Sequence, residues 1–327
     1  MTVMNIRRHI STAAVAGASV LGLLALTSCS TADATRTDDG KLKVAASFYP
    51  MEFLAEQIGG EHVEVTGLTK PGIEPHDLTL TTQQTAQLSA AGAVVYLKGL
   101  QPAVDDAIAQ SGVPNIADAA ALTSLEAHGT EVDGHDHDHD HAAGGEHAHS
   151  ESEGGKDPHI WLDPVKYAEV AQGVNKTLAK ADPGHEADYQ KNTDALVKKL
   201  RALDADFRNG LKKRASDTFL TTHAAFGYLA ERYGLTEEAI SGLDPESEPS
   251  AHRIRSLHSL AAEHHVSTVF FETIANPATA RTLAGDLHLK TDVLDPLEGI
   301  TAKSRGKDYF GVQRANLAAL QKALGSK

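Results

Sequence analysis

The chain has 327 residues, a formal net charge of −14, 41% hydrophobic residues and a single cysteine. That length suits two domains, and the hydrophobic content is ample for a core in each. The acidity disfavours a nucleic-acid partner and suits cations, while one cysteine excludes an intramolecular disulfide.

At the N-terminus, Arg7 and Arg8 precede an uncharged run over residues 10–26, followed by Leu26-Thr27-Ser28-Cys29. Residues 1–28 read as an export signal. The alternative, a single transmembrane helix, is disfavoured by the Gly, Ser and Thr content of the run and by the polar sequence that begins at Ser30. A lone cysteine closing an apolar signal resembles a bacterial lipobox, so Cys29 is the expected lipidation site. Several lipid chains at one position would anchor the mature protein to the outer face of the cell membrane. Loss of residues 1–28 removes Arg7 and Arg8 and no acid, so the formal charge moves from −14 to −16. Residues 29–40 read as a flexible tether.

From residue 41 an α/β pattern begins. Residues 42–48 (LKVAASF), 63–68 and 93–97 (AVVYL) are strand candidates, and residues 51–58 and 82–90 read as helices between them. Strands alternating with helices predict a parallel sheet covered on both faces. This first lobe is expected to span residues 41–181.

Residues 126–156 break the pattern with six glycines, seven histidines, many acids and no aromatic residue. Such a composition cannot bury enough apolar surface to order itself, so it is expected to be a disordered insert in the first lobe. At its centre, HDHDHDH places His135, His137, His139 and His141 at alternate positions, with His128 before them and His147 and His149 after.

Asp182-Pro183 then supplies an N-cap and a proline suited to a first helical turn. Tyr189, Leu196, Leu200, Leu203, Phe207 and Leu211 follow on one apolar stripe. The spacing predicts a helix of about 30 residues, roughly 45 Å long, that joins two lobes over residues 182–214. The α/β pattern restarts over residues 215–327, with strand candidates at 218–221, 266–271 and 290–294 and helices at 224–233, 252–264 and 277–287.

Three histidines stand apart from the insert: His76 in KPGIEPHDL, His159 in DPHIWLDP and His223 in FLTTHAAFGYLA. Each lies at a strand or loop end, where α/β folds place ligands. Each alone reads as a structural or surface histidine; together they fit metal ligation. Asp157, Asp163 and Glu272 are the candidates to orient these imidazoles by hydrogen bonds. His62, His185, His252, His258, His264, His265 and His288 read as solvated, and Trp161 as packing.

The motifs PGIEPHDL, DPHIWLDP, TTHAAFGYLA, VFFE and VLDPLEGIT, in this order, resemble the metal-binding lipoproteins of ABC importers, the ZnuA-like group of the cluster A-I substrate-binding proteins. The resemblance covers nearly the whole mature chain. It implies two α/β lobes joined by a long rigid helix, with one transition-metal ion in the cleft between them. It further implies His76 and His159 as ligands from the first lobe and His223 from the second, with a carboxylate from VLDPLEG as the fourth. Glu298 is the first choice for that position and Asp295 the alternative. Some relatives carry a glutamate directly before the first histidine, where this chain has Pro75, and the disulfide of some relatives is absent. Manganese-type members tend to carry a carboxylate where this chain has His223.

Three neutral imidazoles and one carboxylate suit tetrahedral Zn²⁺, whereas manganese sites hold more oxygen. The expected function is capture of extracytoplasmic Zn²⁺ and its delivery to a membrane permease by a monomeric, lipid-anchored protein with no nucleic-acid partner. The alternatives are a zinc-dependent hydrolase, or a lipoprotein for manganese or another metal with an adhesin role. Against catalysis, the sequence holds no HExxH helix and no G-x-S-x-G elbow. His128, His135, His137, His139, His141, His147 and His149 are expected to form an auxiliary, weaker zinc collector, because an extended chain must bend, at an entropic cost, to bring several of them to one ion.

Overall fold

Short apolar strands alternating with helices build two four-stranded parallel sheets in the computed structural model, which describes residues 33–129, 155–275 and 277–326. The first sheet contains β1 (Leu42–Ala46), β2 (Val63–Gly67), β3 (Ala93–Tyr96) and β4 (Ile116–Asp118) in the order β2-β1-β3-β4. The second contains β5 (Thr218–His223), β6 (Thr236–Ser241), β7 (Thr268–Phe271) and β8 (Lys290–Val293) in the order β6-β5-β7-β8. Every pairing is parallel. Parallel neighbours need crossovers, which the helices supply. In the first lobe these are α1 (Tyr49–Gly59), α2 (Thr82–Ser89) and α3 (Pro102–Ser111), and the short α4 (Ala119–Leu122) follows the last strand. Next come α5 (Pro164–Ala181) and α6 (Glu186–Gly210), and then α7 (Gly227–Tyr233), α8 (Ala251–Glu263), α9 (Ala278–Asp286) and α10 (Tyr309–Ala323).

The main core is shared by the lobes. Phe48, Trp161, Tyr167, Tyr189, Phe207, Phe226 and Tyr309 belong to one continuous buried cluster that runs from the first sheet to the second. Separate clusters cover the other faces, with Val94, Val104 and Ile108 on the first sheet and Leu220, Ile240 and Val269 on the second. From Ala34 onward the chain forms one compact unit.

The long helix is present but shorter than the apolar stripe suggests. Pro183–His185 forms a 3-10 turn, and α6 follows with 25 residues, about 37 Å at 1.5 Å per residue. Asp182 makes no side-chain cap bond to the turn. Its carboxylate instead accepts from Arg36 Nη2 at 2.8 Å, His185 Nδ1 at 2.6 Å and the Tyr189 hydroxyl at 2.7 Å. Burial alone would raise its pKa, but these donors hold it at about 2. Asp182→Ala would leave the fully buried Tyr189 hydroxyl without its acceptor, a loss of about 2 kcal/mol. In metal-free protein this should lower Tm by about 2–4 °C per kcal/mol; an unchanged melting curve would refute this anchoring role.

One end of α6 lies against the first lobe, where Asn192 Nδ2 donates to Ile58 O at 3.0 Å. The other lies against the second, where the Phe207 and Tyr233 rings stack at 5.1 Å. The C-terminal α10 also crosses between lobes. Its Tyr309 hydroxyl donates to Trp161 O at 2.6 Å, and the Tyr309 ring lies 4.7 Å from Tyr167 and 5.5 Å from Phe53. At its far end Ala323 O accepts from Ser267 Oγ at 2.9 Å, and Leu324 O from Ala215 N at 2.8 Å.

Neither β4 nor β6 is marked by the sequence reading. Strand β6 (TEEAIS) carries two glutamates and lacks the alternation of a half-buried strand. Glu237 is accommodated because Oε1 accepts from Thr221 Oγ1 at 2.8 Å and Oε2 from Phe226 N at 2.9 Å. Burial pushes its carboxyl up to about 7. The signal segment, Cys29, and the insert histidines His135, His137, His139, His141, His147 and His149 lie outside the described residues. Among the described residues no helix is long and apolar enough to cross a membrane.

Candidate metal centre

His223 is the last residue of β5, and Glu272 directly follows β7. These two central strands of the second sheet connect to opposite edges of it, β5 to β6 and β7 to β8, so His223 and Glu272 stand at the switch point where open parallel sheets bind ligands. His159 opens the 3-10 turn Ile160–Leu162 that leads into α5. His76 sits in the loop between β2 and α2, where Gly72 takes a φ of +82° that suits glycine. Glu298 lies in the loop after β8.

The structure brings these residues together. One donor atom each from His76, His159, His223 and Glu298 lies within 4.8 Å of every other. Glu298 Oε1 is 3.2 Å from His76 Nε2, 3.3 Å from His159 Nε2 and 3.5 Å from His223 Nε2. His159, His223 and Glu298 are buried, and the His76 side chain is 12% exposed. Two of the imidazoles are braced from behind. Asp157 Oδ1 accepts from His159 Nδ1 at 2.7 Å and from the His159 backbone N–H at 2.9 Å. Glu272 Oε1 accepts from His223 Nδ1 at 2.6 Å and also from the Thr222 hydroxyl. With each Nδ1 donating to a carboxylate, Nε2 faces the cleft. The Nε2 atoms of His159 and His223 are buried, and neither makes a hydrogen bond despite the nearby Glu298 oxygen.

Asp295 is placed otherwise. Its Oδ1 accepts from Leu297 N at 2.9 Å and its Oδ2 from Thr273 Oγ1 at 2.8 Å, while its backbone N–H and C=O are both bound by the Asn316 amide. It shapes the loop that presents Glu298. Leu297 takes a φ of +62°, a costly conformation for a side chain of its size. The bond from its N–H to Asp295 and the 2.6 Å bond from Trp161 Nε1 to Pro296 O hold that turn. Trp161 is thus both packing and a clasp between lobes.

Glu74 lies at the edge of the site, with Oε1 accepting from His76 N at 3.0 Å and standing 4.0 Å from His76 Nε2. Asp163, a sequence candidate for orienting an imidazole, instead caps α5 through Val165 N at 2.8 Å and pairs with Arg232 at 2.6 Å. His62 and His185 stack on each other at 3.9 Å and bind Asp188 and Asp182. His265 and His288 take positive φ where α8 and α9 end. Tyr228, which the sequence reading leaves out, receives the Glu126 N–H at 2.8 Å and donates to Asp157 O at 2.8 Å, fixing the segment that bears His159. Its position in TTHAAFGYLA was the available cue.

The electrostatics follow from burial against pairing. Burial opposes charge on His159, but Asp157 and Glu298 outweigh it and raise the imidazole to about 9. His223 is likewise driven down by burial and further up by Glu272 and Glu298, ending well above the usual range. Burial would raise Glu298; the three histidines hold it well below. Without a metal the site is therefore an ionised cluster whose protons occupy the atoms that would bind one. Glu272→Gln keeps the shape behind His223 and removes the charge, so it should weaken metal binding about 10–100-fold in a chelator competition. An affinity within twofold of the parent would rule out an electrostatic role for Glu272. A cleft of about 200 Å³, lined by Tyr49, Glu52, Thr69, Lys70 and Pro71, reaches Glu298 from the first-lobe side.

Comparison with known proteins gives a consistent picture. The family model described as zinc-uptake complex component A, periplasmic, matches residues 44–323. The zinc-binding protein AdcA of Streptococcus pyogenes serotype M6 is 34% identical over 294 residues, 86% of this chain and 56% of that protein. The chain thus spans little more than half the length of the streptococcal relatives. The high-affinity zinc uptake system protein ZnuA of Bacillus subtilis strain 168 is 34% identical over 316 residues, 95% of this chain and 96% of that one. Among solved structures, Zn(II)-bound AdcA from Streptococcus pneumoniae has a TM-score of 0.70 at 30% identity, covering 88% of this chain and 59% of its own. The laminin-binding protein Lmb of Streptococcus agalactiae, described as bifunctional with adhesin and metal transporting activity, has a TM-score of 0.73 at 29% identity, covering 86% and 99%.

Proposed function

The chain belongs to the ZnuA family, that of zinc-uptake complex component A, and from this premise we propose that it captures extracytoplasmic Zn²⁺ in its inter-lobe cleft and delivers it to an ABC-type membrane permease. His76, His159, His223 and Glu298 are the proposed ligands. The observation that carries this reading is the spacing around one carboxylate oxygen. In a tetrahedron with Zn–ligand bonds of 2.0–2.1 Å the edge is about 3.3 Å. The three Nε2 atoms stand 3.2, 3.3 and 3.5 Å from Glu298 Oε1. The three edges that meet at Glu298 are thus already at that spacing, and all four donors lie within 4.8 Å of one another. Two buried Nε2 atoms without hydrogen bonds support it further, since an ion would supply the partner they lack.

Three imidazoles and one carboxylate favour zinc over manganese. Binding rather than hydrolysis is favoured because Glu298 takes the fourth position, where a zinc hydrolase keeps its reactive water. All four groups come from one chain, so a monomer suffices. Attachment to the outer face of the membrane through lipid on Cys29 completes the proposal.

The test is metal analysis of the purified mature protein, with zinc and manganese in competition. One tightly held zinc, retained against excess manganese, is expected; manganese displacing zinc at equal concentration would sink the assignment. Cys29→Ala should move the protein out of the membrane fraction with zinc binding intact. Persistent anchorage of a processed Cys29→Ala protein would refute the lipid attachment.

A further inference from the structure

At the root of the histidine-rich insert a second group of metal-ligating side chains is already assembled. His128 Nε2 is 3.0 Å from Glu231 Oε2 and 3.9 Å from Glu126 Oε2, and one donor atom from each of the three lies within 4.8 Å of the others. Glu126 and His128 come from the end of the first-lobe chain that enters the insert, and Glu231 from α7 of the second lobe. The cluster forms only because the two lobes meet here.

Its construction repeats that of the inner site. His128 Nδ1 donates to Asp157 Oδ2 at 3.1 Å, while the other oxygen of the same carboxylate accepts from His159 Nδ1 at 2.7 Å. One fully buried carboxylate thus orients two imidazoles, and in both the Nε2 atom is turned toward glutamate oxygens. The ring of His128 is held by packing as well, edge-on to Tyr228 at 4.6 Å. Gly227 makes room for it, since a Cβ there would lie 2.3 Å from His128 Cβ and 2.9 Å from Asp157 Oδ2. Lys166 Nζ occupies Glu126 Oε1 at 2.6 Å, which leaves Oε2 toward the histidine.

We propose that Glu126, His128 and Glu231 form a second, weaker site for a zinc-like divalent ion, set beside the inner site and joined to it through Asp157. An imidazole with two carboxylates is the ligand set of a borderline metal in a partly open site, with remaining positions for water. Exposure makes it weaker than the inner site, since the Glu231 side chain is 60% exposed and water competes with the ion for it. The choice of zinc rests on the function proposed above; the existence of the site does not.

The test uses the full chain with His135, His137, His139, His141, His147 and His149 each changed to Asn, so that the insert offers no imidazole beyond His128. Equilibrium dialysis against Zn²⁺ at pH 7.5 should give two ions per chain, one tight and one weak. Glu231→Gln and His128→Asn, each in that background, should weaken the second ion by about tenfold or more and leave the tight event in place. His223→Ala in the same background should abolish the tight event and leave the weak one. One ion per chain before these further changes, or two that survive both Glu231→Gln and His128→Asn, would overturn the proposal. If His223→Ala leaves the tight event intact while Glu231→Gln removes the weak one, the inner assignment fails and the outer site stands.

Discussion

Glu298→Ala is expected to weaken the tightest zinc event by about 10²- to 10³-fold. A four-ligand zinc site is worth roughly 10–16 kcal/mol, so one ligand corresponds to about 2.5–4 kcal/mol, and each 1.4 kcal/mol is tenfold. The loss should be large because Glu298 Oε1 stands within 3.5 Å of all three Nε2 atoms and is the one carboxylate that faces all of them from within the cleft. His159→Ala and His223→Ala should fall in the same range. Asp295→Ala is the informative contrast. It removes the acceptor of Leu297 N and Thr273 Oγ1 and should reduce stability, with the tight event changed by tenfold or less. Chelator competition on the pair reads the answer directly; a larger loss for Asp295 than for Glu298 would reverse the ligand assignment.

Zinc affinity should rise steeply with pH through neutrality. In the metal-free site His159 holds its proton up to about 9 and His223 to higher pH, so both rings must lose a proton when the ion binds. Glu298 stays ionised throughout and contributes no slope. Two displaced protons give a gain approaching 100-fold per pH unit between about 6 and 8, together with proton release in buffers of different ionisation heat. The sign for folding is opposite. A histidine whose folded pKa is raised stabilises the fold below its unfolded value of about 6.5, and this is lost as pH climbs through about 9. Metal-free protein should therefore lose stability over the interval in which the zinc-loaded form gains its advantage. Binding that is independent of pH from 6 to 8 would show that the rings are neutral before the metal arrives.

What the sequence reveals divides along physical lines. The stripe of Tyr189, Leu196, Leu200, Leu203 and Phe207 is a local signal with helical period, and those residues are buried along α6. The three histidines proposed as ligands are legible because each lies in a short run of turn or strand-end residues, and the ordered motifs carry the family resemblance. The choice between Glu298 and Asp295 is not legible. It depends on the positive φ of Leu297 and on Thr273 and Asn316, which are distant in sequence. Asp163 shows the same limit. Its place beside His159 suggests a partner for that ring, yet Arg232, 69 residues away, claims its carboxylate. Strand β6 is hidden because Glu237 is accommodated by burial, which raises its carboxyl, and by hydrogen bonds from Thr221 and Phe226, tertiary effects that no propensity reports. The helix α5 was within reach, since Asp163-Pro164 announces its start.

Both α6 and α10 are bound to the two lobes at once, at their opposite ends. Kinematically, a rigid body held at two separated points keeps one rotation, the turn about the line that joins them. A wide clamshell swing would have to break the Tyr309–Trp161 and Trp161–Pro296 bonds, both buried. The compliant wall is the segment around His76, the one of the four proposed ligands that is not fully buried, with Gly72 and two prolines in its approach. An ion leaving this cleft should then need only the travel of one loop against a nearly fixed frame, so amide exchange should quicken at residues 70–78 on metal removal while α6 and α10 keep their protection.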